Sequence, residues 1–439
     1  VHAQQSLTTA EAEFALEYLN SWFPALDMNS QIASDEVVNL QLALHDDRSS
    51  GDPWSSLGCP QKLQAFEKFG LQQLEEYYAS HWSVVSSTLK DELRKVGKDA
   101  RFFRPQDVSS YIEGVRLFYH QNEYLTQTFA SPVFCRYVTP GTALSRVFQS
   151  IESHSENRYA ADGSSWDANF PLAVASVIAT FRAKHSPERF QRYYRQMYNG
   201  VTRVMGEGLR LIGQPSGHYN TSVDNCLAHM VLIAVHGYRH GLSVEQINAD
   251  LLYYCCGDDI IWSTKSNIFA PANIDATYSS LGVYLEYEYL VGKSVMWLSF
   301  CGATPIKRDI RGVRYMSYYM SHPKCHASLL LHRVKSRPLD VLNKLCCIAQ
   351  LYFMNEDLFN YAKTIFTTTL SNYVASNLVS FRDPNVLGCL RALNEQVLIE
   401  KYTGFETSSS PRGRFKSDAE AQRRDKSSWD AFWGDSHWS

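Results

Sequence analysis

Long apolar runs are missing from this 439-residue chain: the best stretch, Cys226 to Val235, contains His229 and is soon followed by Arg239. A bilayer-spanning helix needs about 20 consecutive apolar residues, so no membrane span is expected. The C-x-x-C spacing is missing as well, although ten cysteines are present. That removes the zinc-ribbon and thioredoxin motifs and leaves reduced, buried thiols as the expected state. His322, Cys325 and His326 carry metal-ligating side chains but lack a second cluster to complete a tetrahedral set, so they read as a polar loop. Net charge is scarce too: 42 Lys and Arg against 45 Asp and Glu give −3. This excludes a protein that coats nucleic acid through a broad basic face. The opening Val-His-Ala-Gln-Gln has no basic-then-apolar order of a secretory signal. Internal repeats and long Gly/Ser linkers are also absent.

What is present is a hydrophobic fraction of 45%, enough for a sizeable core spread over two or three subdomains. Two local basic tracks stand out, Lys90 to Arg104 (Lys90, Arg94, Lys95, Lys98, Arg101, Arg104) and Lys307 to Arg314 (Lys307, Arg308, Arg311, Arg314). Such runs are usually solvated faces and gain meaning only beside a chemical site. Helical periodicity covers Leu339 to Met354 and Asp357 to Asn377, and Asp383-Pro384 reads as an N-cap with proline in the first turn of a third helix. Beyond Ser408 the chain is polar and charged, punctuated by Trp429, Phe432, Trp433 and Trp438. In the middle third, a strand is expected to end at Ala161, followed by a helix from Phe170 to Lys184 and another from Asn220 to Tyr238. The runs Leu251 to Cys256 and Ile260 to Ser263 read as strands of a hairpin. Strands and helices in this order predict an α+β layer with helices on one face.

The hairpin punctuation is Gly257-Asp258-Asp259, flanked by Tyr253-Tyr254-Cys255-Cys256 and Ile260-Ile261-Trp262. Two adjacent carboxylates at such a tip repel each other unless a cation neutralises them. The bland alternative is a solvated turn, although a type I′ turn would favour Asn-Gly or Asp-Gly. A second acidic segment, Asp162-Gly-Ser-Ser-Trp-Asp167, lies between a β-prone run and an apolar helix. A strand-end carboxylate at Asp162 can join the hairpin acids to hold two magnesium ions about 4 Å apart. Asp167, one turn later, reads equally as a helix N-cap. The third segment, Gly213-Gln-Pro-Ser216-Gly217, leads into a helix on which Thr221 and Asn225, four apart, share a face. With Asp167 opposite, these polar groups suit recognition of the ribose 2′-hydroxyl, the atom that separates RNA from DNA.

In this order the segments resemble motifs A, B and C of the viral RNA-dependent RNA polymerases: Asp162 and Asp167, then Ser216, Gly217, Thr221 and Asn225, then Gly257-Asp258-Asp259. Upstream, Lys90-Asp-Glu-Leu-Arg94 with Lys98 and Arg101 is similar to motif F, which grips the incoming triphosphate, and Ser56-Leu-Gly58-Cys-Pro60 to motif G beside the template. Downstream, Trp297 to Gly302 resembles motif E, the primer grip, and Lys293 is the evident candidate for the general acid of motif D. Among family branches, the picornavirus-like supergroup of positive-strand RNA viruses fits best, with Leu298 to Gly302 and Gly213 to Gly217 leaning towards the astrovirus-like branch. Two departures are visible: Cys256 stands where many relatives carry tyrosine, and the spacing from Arg94 to Arg101 is shorter than in picornaviruses.

The resemblance implies an α+β right hand. Fingers would cover 1–157, motif A of the palm 158–167, a fingers insertion 168–205, palm motifs B to E 206–305, a helical thumb 306–402 and a flexible tail 403–439. The palm would be an antiparallel sheet with helices on one face. Asp162, Asp258 and Asp259 would bind Mg2+, or Mn2+ in its place, while Lys90, Arg94, Lys98 and Arg101 would neutralise phosphate. The implied partners are RNA template and product, nucleoside triphosphates and other viral replication proteins, in the host cytoplasm, and the Lys307 to Arg314 track would contact product RNA. Three rivals fare worse. A reverse transcriptase would place a bulky aromatic gate where Asp167 stands. A P-loop around Gly292-Lys293-Ser294 would need glycine at Tyr287. A decayed palm acting only as an RNA-binding scaffold would have lost a metal acid, and all three remain.

Overall fold

Fifteen consecutive residues, Val223 to Gly237, are buried in the Thr221–Arg239 helix of the computed structural model. A helix buried around its whole circumference belongs at the centre of a core. The Thr9–Trp22, Leu172–Arg182 and Pro271–Ser280 helices and the Leu251–Cys256 strand pack around it. Met230, Val231, Leu232 and Ile233 are fully enclosed, each burial contributing about 2 kcal/mol. The structure describes residues 6–45, 48–81, 84–86, 88–89, 102–127, 142–183, 186–199, 201–204, 207–210, 213–287, 294–320 and 337–403. These fall into two units: Val1–Arg136 with Ala161–Ile260 and Thr264–Tyr287, and Tyr137–Ala160 with Ile261–Ser263 and Glu288–Ser439.

In the first unit, polar side chains inside the core are tied to one another. Arg182 and Asp224, both fully buried, form an ion pair at 3.0 Å. Tyr194 donates its hydroxyl to Asp224 at 3.1 Å, and Arg182 also reaches the Asn122 side-chain oxygen at 3.0 Å. These contacts join the Val108–Gln127, Leu172–Arg182 and Pro187–Asn199 helices to the first turn of the central one. A buried pair depends on further partners for its remaining donors and acceptors, and this network supplies part of them: Arg182 Nε has no hydrogen-bond partner among the described residues.

Four strands form a sheet in the order Leu251–Cys256, Asp259–Thr264, Asn157–Gly163, Leu285–Tyr287. The first buries alternate residues, Leu251, Tyr253 and Cys255, while the second, with a strand on either side, is buried from Ile260 to Thr264. Asn157–Gly163 runs antiparallel to Leu285–Tyr287, with Asp162 opposite Glu286. Towards its other neighbour, Tyr159 packs on Trp262 at 5.4 Å, and His154 and Ser155, just before the strand, meet Ser263. The start of one strand beside the end of the other makes this pair antiparallel too, which carries Asp162 to the level of the Asp258-Asp259 turn. The strand therefore includes Asp162 and Gly163 rather than ending at Ala161. Cross-strand pairing to Leu285–Tyr287, distant in sequence, is what extends it.

In the second unit the Thr142–His154 helix lies on an antiparallel hairpin, Ala303–Ile310 with Val313–Met320. Among the described residues, four helices follow: Pro338–Leu351, Glu356–Ala375, Pro384–Ala392 and Glu395–Thr403. Asp383 caps the third by accepting from the Asn385 N–H, with Pro384 in its first turn, as the sequence predicts. Tyr402 donates to the Gln350 carbonyl at 2.6 Å and its ring meets Tyr318 and Phe353. The segment expected to be helical from residue 306 thus begins as a hairpin. Arg311 and Gly312 both have positive φ, 52° and 80°, the conformation of a two-residue type I′ loop, and the following Val-Arg-Tyr-Met-Ser-Tyr-Tyr is rich in β-formers. The His322, Cys325 and His326 group and the stretch from Ser408 lie outside the described residues. The eight described cysteines are free thiols.

Candidate active site

The hairpin turn is built on Gly257, whose φ is +65°, followed by Asp258 in ordinary negative-φ backbone. Glycine in the first of two loop positions is the pattern of a II′ turn, so Gly-Asp serves here where a type I′ loop would prefer Asn-Gly. Asp258 and Asp259 are half-buried, and Asp162 is exposed. The central helix holds the turn from two positions one turn apart. Cys226 accepts the Gly257 N–H at 3.3 Å, and His229 donates from Nε2 to the Asp258 carbonyl at 3.1 Å. Burial pushes the His229 imidazole down to about 4, against the opposing effect of that carbonyl, so the ring is neutral near pH 7.

Asp162 faces Glu286 across the sheet, and Ser164, two residues on and so on the same face, donates to Glu286 at 2.7 Å. Directly opposed carboxylates repel, which makes this sheet end a place that favours a cation. Among the described residues, no group of three or more His, Cys, Asp or Glu side chains closes into a cation cage. The donors present are carboxylate oxygens, the type that hard divalent cations prefer. Magnesium in particular keeps several waters and takes one or two protein carboxylates together with substrate phosphates. The donor chemistry of Asp162, Asp258 and Asp259 therefore fits such an ion.

The loop before the central helix is locked onto the segment carrying Asp167. The Asp167 carbonyl accepts the Gln214 N–H at 2.7 Å, and Gly213, at φ +125°, lies so close that a Cβ would overlap the same oxygen. Gln214 in turn receives the Tyr198 hydroxyl at 2.7 Å and donates to the Thr221 carbonyl at 3.0 Å. Thr221 spends its hydroxyl proton on the Pro215 and His218 carbonyls, leaving its oxygen able to accept. Ser216 and Gly217 are half-buried in the loop. The Gly217 carbonyl accepts the Gln106 N–H at 3.4 Å. One turn past Thr221, Asn225 is buried and its side-chain oxygen has no hydrogen-bond partner among the described residues.

Arg104, at the end of the first basic track, is a site residue that the motif pattern did not single out. Its guanidinium donates to the Gln214 carbonyl. Burial lowers its pKa, and the nearby Asp167 carboxylate works against that shift. Glu286 and His229 were likewise not singled out; His229 figured only as an interruption of an apolar run. No sequence spacing signals either, because their partners lie in other elements. Lys90, Arg94, Lys98, Arg101 and Lys293 lie outside the described residues. In the second basic track, Lys307 pairs with Glu152 at 2.7 Å, Arg308 donates to the Phe353 carbonyl and faces Glu356, and Arg311 donates to Gln396. Each of these three cations thus has a partner in the protein itself.

The model of the family described as viral RNA-dependent RNA polymerase matches residues 76–368, more than half of the chain. A genome polyprotein of Triticum mosaic virus is 28% identical over 138 residues, and one of Zucchini yellow mosaic virus (strain Singapore) is 27% identical over 138. Each alignment covers 29% of this chain and 4% of the polyprotein, so the chain spans only a small part of those relatives. Among solved structures, a Sicinivirus 3Dpol RNA-dependent RNA polymerase is similar in fold, with TM-score 0.66 and 15% identity, over 97% of this chain and 87% of that one. The sheet, the acid-bearing turn and the helical segments are thus those of the right-hand polymerase fold, and the chain belongs to the viral RNA-dependent RNA polymerase family.

Proposed function

We propose that this chain copies an RNA template by two-metal nucleotidyl transfer, in the replication of a viral RNA genome. The observation that carries the reading is the delivery of Asp162 and the Asp258-Asp259 turn to one sheet end, beside the helix that bears Thr221 and Asn225. The reaction is attack of an RNA 3′-hydroxyl on the α-phosphate of a nucleoside triphosphate, with pyrophosphate leaving. Bound by Asp162, Asp258 and Asp259, Mg2+ (or Mn2+) would lower the charge on the phosphate oxygens and favour the attacking alkoxide.

The protein's own groups do the remaining work. Lys90, Arg94, Lys98 and Arg101 neutralise the triphosphate, electrostatic help that is commonly the largest catalytic contribution. Lys293 hands a proton to the departing pyrophosphate. Ribose selection falls to acceptors: a 2′-hydroxyl donates its proton to the Asn225 oxygen, the Thr221 oxygen or the Asp167 carboxylate, and a deoxyribose leaves them unmatched. Ser216 and Gly217 shape the loop that presents these groups. Template and product RNA and the triphosphates are the partners, with other viral replication proteins, in the host cytoplasm.

Extension of a primed RNA template by the purified chain with Mg2+ tests the reading, with NTPs and dNTPs compared. Extension with NTPs, lost in Asp258→Ala, is expected. Full activity in Asp258→Ala rejects the metal assignment, and equal use of dNTPs rejects the ribose assignment.

A further inference from the structure

We infer that His229 is a positioning residue: through the Asp258 carbonyl it fixes the acid-bearing turn relative to the strand end that carries Asp162. The inference rests on the two-metal reading above and assigns a role to a side chain outside the acids.

The carbonyl that His229 holds, at 3.1 Å, belongs to the peptide unit joining Asp258 to Asp259. Fixing that plane restricts ψ of Asp258 and φ of Asp259, and with them the directions in which both carboxylates leave the backbone. Only a donor can satisfy a carbonyl, so Nε2 carries the proton. This is the imidazole's single hydrogen bond among the described residues, since Nδ1 has no partner there.

The ring itself is fixed by packing. It stacks on Trp166 at 4.4 Å with planes 28° apart, and meets Tyr278 at 6.2 Å on a tilted approach. Trp166 in turn covers Gly163 so closely that a Cβ there would overlap its indole. Gly163 follows Asp162 directly. A continuous physical link therefore runs from the Asp162-Gly163 backbone through the indole and the imidazole to the Asp258 carbonyl. Cys226 secures the other side of the turn by accepting the Gly257 N–H, and the fully buried Arg182–Asp224 pair anchors the helix on which both sit. A side chain present only to fill the core has no need of an N–H directed at this one carbonyl.

The test is Mn2+ binding to the full chain without RNA or nucleotide, read from the electron paramagnetic resonance signal of free Mn2+, together with circular dichroism and melting temperature. His229→Phe keeps the ring and removes the donor. It is expected to fold and to bind Mn2+ about tenfold more weakly, at the lower end of what supporting partners of a metal site contribute, because the link passes through the backbone. His229→Gln restores an N–H at similar reach and is expected to return within about threefold of wild type. In primer extension, the half-saturating Mg2+ concentration rises in His229→Phe while the KM for NTP at saturating Mg2+ stays put.

A folded His229→Phe with wild-type Mn2+ affinity overturns the inference, as does His229→Gln impaired equally. If His229→Phe fails to fold, folded His229→Gln decides: a loss of about tenfold or more there, with the donor retained, overturns it. Asp258→Ala is the separate control. Wild-type Mn2+ affinity in that variant sinks the two-metal reading itself, and the positioning role with it.

Discussion

Gly213 sits at φ +125° with its α-carbon against the Asp167 carbonyl oxygen, so both its backbone conformation and the space around it exclude a side chain. Gly213→Ala should cost on the order of 1–3 kcal/mol through strain at that position. It should also push the Gln214 N–H off Asp167, lowering the preference for NTPs over dNTPs. Urea denaturation and paired incorporation assays measure the two effects, and unchanged values in both would remove the loop from the account of ribose selection. A different residue-scale effect concerns acid. His236 is fully buried, with Nδ1 2.8 Å from the Thr277 hydroxyl and Nε2 2.8 Å from the Ile268 carbonyl. Burial pushes its pKa down to about 4 from the usual 6.5, the Ile268 hydrogen bond opposing. Below pH 6.5 the unfolded chain binds a proton here that the folded one refuses, so stability is lost as pH falls from 6.5 through 4. His218, lowered to about 3, and His229, lowered to about 4, have the same sign. Asp224, raised by burial to about 6, has the opposite sign and gains stability as pH falls through 6 towards 3.8. Three depressed imidazoles outweigh one raised carboxyl, and acid weakens the fold. His236→Gln should save roughly 2 kcal/mol of the loss between pH 6.5 and 5, read from denaturation curves at the two pH values.

At the scale of elements, the central Thr221–Arg239 helix positions the turn, the loop, Thr221 and Asn225 together, so its anchorage matters more than its propensity. Asp224→Ala removes the carboxylate from Arg182 and an acceptor from Tyr194. A guanidinium left buried and uncompensated should cost about 3–5 kcal/mol in chemical denaturation. Asp224→Ala with stability within about 1 kcal/mol of wild type would show that water or rearrangement replaces the pair. The helix itself was legible as Asn220 to Tyr238 because it is largely apolar and preceded by the Gly213 to Gly217 loop, and Leu251 to Cys256 was legible as a β-prone run ended by Gly257-Asp258-Asp259. The Ala303–Ile310 and Val313–Met320 hairpin was not, since arginine in the first position of a type I′ loop is a poor turn signal. Asp162 fell inside its strand for a related reason: the partner strand that extends the pairing lies more than a hundred residues away, beyond any local pattern. The acids and the Thr221 to Asn225 spacing could be read from motif order. Arg104 on Gln214 and His229 on Asp258 are tertiary contacts with no periodicity to announce them.

For the whole molecule, a net charge of −3 means that RNA must be held by local cations rather than by a general positive field. The two basic tracks divide on this point. Lys307, Arg308 and Arg311 are committed to Glu152, Glu356 with the Phe353 carbonyl, and Gln396. Lys90, Arg94, Lys98 and Arg101 precede motif A and, in the proposed function, are the groups that hold phosphate. Each cation that displaces counterions from single-stranded RNA adds about 0.7 to the slope of log affinity against log salt, so the four together account for a slope of about three. Replacing those four by alanine should flatten the salt dependence of template RNA binding by about three units, measured by fluorescence anisotropy across a range of salt concentrations. Arg308→Ala with Arg311→Ala should change the slope by less than about one unit and appear instead as a lower melting temperature, because what they support is the helical packing of their own unit. The reverse outcome, a slope that follows Arg308 and Arg311 and ignores the upstream four, would move the RNA track to the hairpin.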